Sequence, residues 1–84
     1  MSKPMEIRLI QGTFSTNDGL DLITKMIHVK IKYHEERIDQ DSSEEDIKYR
    51  ESKIKRLQKD LFELREAMPQ QRENVKLDAA ITIS

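Results

Sequence analysis

The sequence predicts an α+β fold of order β-α-α-β, an antiparallel helical hairpin packed on a two-stranded antiparallel sheet that a second copy completes. Three observations carry this expectation. From Val75 to Ile83 an apolar residue stands at every second position, with Lys76, Asp78, Ala80 and Thr82 between, as a half-buried strand requires. Two central segments carry apolar residues at steps of three and four, as helices sharing a seam do. When the two seams are paired across the intervening loop, the position numbers of facing residues add to a nearly constant value, which only an antiparallel pair produces.

The first strand is expected over 5–14, "MEIRLIQGTF". Its alternation through Met5, Ile7 and Leu9 loses phase at Ile10. Gly12 follows closely, and an isolated glycine in a strand pattern suggests a bulge. A helix is expected over 17–39. Ser15 with Asp18 suits a capping-box-like start, Thr16, Asn17 and Asp18 are also competent caps, and Asp18 and Asp21 complement the helix dipole. Within it "KMIHVKIKYHEERI" alternates like a strand, but the helical reading wins. Leu20, Ile23, Ile27, Ile31, His34 and Ile38 form one stripe; Leu22, Met26, Val29 and Tyr33 form a second. At about 100° per residue these lie on different sides of one helix. The first stripe faces the second helix, and the sheet is the natural cover for the other.

The second helix is expected over 43–68, capped by Ser43 with Asp46 or by Ser42 with Glu45, and stopped at Pro69. Its seam is Ile47, Arg50, Ile54, Leu57, Leu61, Leu64 and Met68. Ile38 then faces Ile47, Ile31 faces Ile54, Ile23 faces Leu61, and His34 meets Arg50 or Glu51. "PQQREN" reads as a polar loop, and the last strand spans 74–83. Val75, Leu77, Ala79, Ile81 and Ile83, with Ile7 and Leu9, are expected to face the helices.

Composition narrows the class. With 36% hydrophobic and 37% charged residues, the core is thin under a charged surface. A chain this short buries only about 60% of its unfolded surface, so its stability is marginal. Fifteen basic residues against sixteen acidic ones give a formal charge of −1, which directs the whole chain neither to nucleic acid nor to an anionic membrane. There is no cysteine, hence no disulfide, thiolate metal site or thiol nucleophile. No apolar run suggests a signal peptide or a membrane span, so a cytoplasmic, single-domain protein is expected.

Candidate sites are few. His28 and His34 are six residues apart, so the i, i+4 spacing of a helical metal pair is absent. His34 on the seam reads as a polar layer fixing helix register, or as a pH-sensitive one. Lys48, Lys55 and Lys59, with Arg56 beside them, form a basic stripe that could track phosphates. The same residues also stand at ion-pair spacing, Glu44–Lys48, Glu51–Lys55, Arg56–Asp60 and Lys59–Glu63, which favours a solvated face. Lys30 and Arg37 fall between the two stripes of the first helix. Their stems lie on apolar neighbours, or they mark a seam where a second copy docks. Ile10, Ala80 and Thr82 are the expected contacts if two copies meet through the outer sheet face. No hydrolytic triad and no cofactor motif is recognisable.

The junction of Ile10, Gly12, Thr13, Phe14 and Ser15 resembles an Ile-x-Gly-Thr-Phe-Ser strand-to-helix junction that opens small uncharacterised bacterial proteins of β-α-α-β order. The resemblance spans nearly the whole chain and implies the architecture, with no known activity. The expectation is therefore a non-catalytic interaction or assembly module acting as a homodimer, with another protein partner possible. The alternative is a nucleic-acid-binding module using the basic stripe.

Overall fold

The computed structural model describes residues 3–68 and 74–84. Strand β1 spans Met5–Phe14, helix α1 Thr16–Glu36, helix α2 Glu44–Ala67 and strand β2 Val75–Ile83. The strands pair antiparallel in a two-stranded sheet, and the helices form an antiparallel hairpin against one of its faces. The expected stop at Pro69 and the polar loop after it lie mostly outside the described residues.

Local chemistry sets the boundaries. The Ser15 hydroxyl accepts the Asp18 N–H at 3.1 Å, and Ser43 accepts the Asp46 N–H at the same distance, so each serine closes one orphan donor of its helix. Ser42 is not the cap. Its hydroxyl accepts the Asp39 N–H at 3.1 Å, while its own N–H reaches the Asp39 carbonyl at 3.2 Å. This turn ends α1 at Glu36, short of the expected residue 39.

The register of the sheet corrects one expectation. Pairing runs from Met5–Ile83 to Arg8–Ala80 and resumes at Ile10–Ala79, leaving Leu9 as the extra residue of a bulge. The sequence places the bulge near Gly12; the structure places it before Ile10. Beyond it the phase is reversed, so Ile10, Gly12 and Phe14 share the face of Met5 and Ile7. Ile10 is therefore not on the outer face: it is 7% exposed and is one of the most buried apolar residues. Gly12 does carry a special geometry, φ of 151°, which a side chain would strain, and the Phe14 ring lies against it.

Contact between helices and sheet is concentrated at one end. The backbone of α1 approaches both strands, and that of α2 does not. At Gly19 an added Cβ would lie 2.9 Å from the Val75 Cγ2, so only glycine permits this closeness. Further along, the layers part. A cavity of about 310 Å³ opens between Ile10, Leu77 and Ala79 on the sheet and Ile23, Met26, Ile27 and Leu57 on the helices. Past it the inner face is uncovered, with Ile81 and Ile83 each 46% exposed. The chain is correspondingly flat and splayed, measuring 47 × 39 × 14 Å. Its radius of gyration is 16.0 Å, against about 12 Å for a compact domain of this length. No large side chain is fully enclosed among the described residues.

Candidate docking face and polar layer

The distal half of the inner sheet face is built by two facing pairs, Met5–Ile83 and Ile7–Ile81. All four are apolar and at least 41% exposed. They form a continuous patch running into the open cavity beneath Ile10. Contiguous exposed apolar patches are characteristic of interaction surfaces. The outer face differs: Glu6, Arg8, Gln11 and Thr13 stand opposite Thr82, Ala80, Asp78 and Lys76. Ala80 and Thr82 are exposed there, in a polar lattice with no large apolar residue.

The second stripe of α1 is not covered by the sheet as expected. Leu22 and Met26 are half-buried, but Val29 is 70% exposed and Tyr33 47%. The reason is the divergence: by Val29 the helix has left the sheet. Bulged Leu9 reaches this side, lining a shallow cavity with Leu22, Lys25, Met26 and Val29. Lys30 lines the open apolar cavity, and the Arg37 guanidinium sits 4.9 Å from the centre of the Tyr33 ring. Phe62 and Tyr49, which the seam pattern leaves outside, are exposed on α2.

The expected meeting of His34 and Arg50 is present. Arg50 Nη1 lies 2.9 Å from His34 Nδ1, and His34 is only 6% exposed. The ring packs edge-on to Tyr33 with centroids 5.4 Å apart. Its pKa is lowered from the usual imidazole value, first by burial and then by the positive charges of Arg50, Lys30 and Lys53. The shielding is local, since the molecule around the ring is thin.

The basic stripe keeps its charges open. Lys48, Lys55, Arg56 and Lys59 are exposed, and among the described residues none of the four ion pairs their spacing suggests is closed. Those that close are Asp21–Lys25 at 2.9 Å, Lys32–Glu36 at 4.0 Å and Glu6–Arg8 at 3.8 Å. Arg56, though exposed, also lines a cavity with Lys30, His34, Lys53, Leu57 and Asp60. Lys53 escaped the sequence reading because seam counting follows apolar residues. Stepping three on from Arg50 would have found it.

Among the described residues no group of three or more potential ligands stands close enough to hold a metal ion, and no helix is long and apolar enough to cross a membrane. Comparison with protein families, with curated proteins and with solved structures finds no match for this chain.

Proposed function

We propose that this protein is a cytoplasmic, non-catalytic assembly module that acts as a homodimer, a second copy seating on the open apolar side between the sheet and the helices. What supports the reading above all is surface. The chain exposes 7273 Å², whereas a compact monomer of 9.9 kDa exposes roughly 5,200 Å². Hiding the surplus of roughly 2,000 Å² on each of two copies falls in the range of obligate homodimer interfaces, about 2,000–5,000 Å² in total. The patch of Met5, Ile7, Ile81 and Ile83 is apolar enough to supply the centre of such a contact. Two-stranded sheets are also marginal alone, and both strands here are edges. A twofold arrangement is the commonest closed solution.

Light scattering at micromolar concentration tests this. The expected mass is twice 9.9 kDa, with a melting temperature that rises with concentration. A 9.9 kDa particle with a cooperative, concentration-independent melt would overturn it.

A second reading, nucleic-acid binding by Lys48, Lys55, Arg56 and Lys59, is supported by their open charges. It requires oligonucleotide affinity that falls steeply with salt and weakens when these residues are neutralised.

A further inference from the structure

The His34–Arg50 contact fixes more than helix register. An arginine guanidinium carries only donors and stays protonated. With Arg50 Nη1 at 2.9 Å, Nδ1 of His34 must accept. The single proton of the neutral ring therefore sits on Nε2. That N–H is buried, and nothing among the described residues accepts it. A buried donor left without an acceptor is costly.

The surroundings indicate which kind of acceptor fits. His34 lines a cavity of about 170 Å³ together with Lys30 from α1 and Lys53, Arg56, Leu57 and Asp60 from α2. Lys30, Lys53, Arg56 and Asp60 thus lie along its wall, with the Lys53 Nζ also 5.4 Å from the centre of the Tyr49 ring, and Arg50 adds a positive charge behind the imidazole. Asp60 does not bond the Nε2 proton, and among the described residues no ion pair closes on Lys30, Lys53 or Arg56. The cavity far exceeds the roughly 10–15 Å³ that one water occupies. Nε2 itself is closed to a water-sized probe, so a guest must widen the cavity beside the ring; a water would then satisfy the ring alone, whereas an anion would also pair with the surrounding cations.

We propose that this cavity binds a small tetrahedral oxyanion of the phosphate class. The Nε2–H of His34 donates to one oxygen, and Arg56, Lys53 and Lys30 supply charge-assisted donors to the others. Leu57 forms the apolar floor. Because Lys30 also lines the apolar cavity next door, the bound anion would stand at the border of the docking face. The site itself lies within one chain and does not depend on dimerisation.

The test is a titration with inorganic phosphate, followed at the histidine ring nitrogens by ¹⁵N NMR in phosphate-free buffer with ionic strength held by chloride. Before phosphate, His34 is expected as the Nε2–H tautomer. Phosphate should then move its Nε2 signal saturably, and the His28 signal should stay still. Sulfate should act similarly and chloride should not. Arg56→Gln and Lys53→Gln, both at exposed positions, should each weaken binding about tenfold with unchanged helical circular dichroism. Loss of binding in His34→Gln would add to this where that variant folds. An Nδ1–H tautomer, a shift that does not saturate, or undiminished affinity in Arg56→Gln would overturn the proposal. So would an Nε2–H already bonded before phosphate is added and insensitive to it, which would point to a carboxylate from a second copy.

Discussion

His34 of α1 and Arg50 of α2 join the helices through a 2.9 Å contact between Nδ1 and Nη1. They are sixteen positions apart in the chain, and they meet because the hairpin pairs its seams in a fixed register. That register places Ile31 beside Ile54, both half-buried. Cysteines at these two positions should oxidise to an intrachain disulfide, since a shared layer brings Cβ atoms within bonding range. Mass spectrometry of the oxidised protein checks it, and preferential linkage of position 31 to position 61 would show a different register.

Gly19 is where α1 comes closest to the sheet. On helix propensity alone, Gly19→Ala should stabilise by about 1 kcal/mol. The new methyl would instead sit 2.9 Å from Val75 and 3.4 Å from Met68. Val75 is β-branched and stiff, so the layers must part further. A net loss of about 1–3 kcal/mol in urea titrations is expected; a gain would mean the contact at this end is loose.

Acid should weaken the fold through His34. Its folded pKa is lowered, by burial first and then by Arg50, Lys30 and Lys53. The unfolded chain therefore takes up the proton at about pH 6.5 while the folded ring stays neutral. Stability is full above that pH and falls as pH drops below it, until the folded ring also protonates. In phosphate-free buffer the urea midpoint should drop between about pH 7.5 and 5.5, where few carboxylates titrate. His34→Gln should flatten that slope.

Ile81 separates folding from assembly. The sequence puts it in the core. In the structure it lies on the inner face beyond the helices, 46% exposed. Ile81→Glu should then keep the helical circular dichroism of the chain and shift light scattering from dimer to monomer. Leu61→Ala, at a position 8% exposed, should instead cost about 2–4 kcal/mol by leaving a cavity. Equal losses of fold in both would erase the distinction between the two surfaces.

Element order, both serine caps and the seam register were legible because each rests on local spacing. Val75 to Ile83 carries an apolar residue at every second position, and only one register buries both helix seams. The bulge was less legible: Leu9 and Ile10 are both apolar, so the phase slip can be seen without showing which residue is extra. The angle between hairpin and sheet left no mark in the pattern. A helical wheel shows that Val29 and Tyr33 form an apolar stripe, but not how far the sheet reaches to cover it. The anion cavity was half visible. His34 and Arg50 follow from the seam, whereas Lys53 and Arg56 join them only once α2 is oriented.

The bulge at Leu9 also makes one residue of β1 grammatically silent. Remove Leu9 and Ile7, Arg8, Ile10 and Gln11 alternate in, out, in, out, opposite the same partners on β2. The two-faced code of the strand survives the deletion, and the sheet would lose only the local kink and extra twist that a bulge introduces. Leu9 thus spells nothing in the pairing. Its place is at the side, 51% exposed beside Leu22 and Val29. A chain lacking it should still fold, with the strand running straighter toward α1.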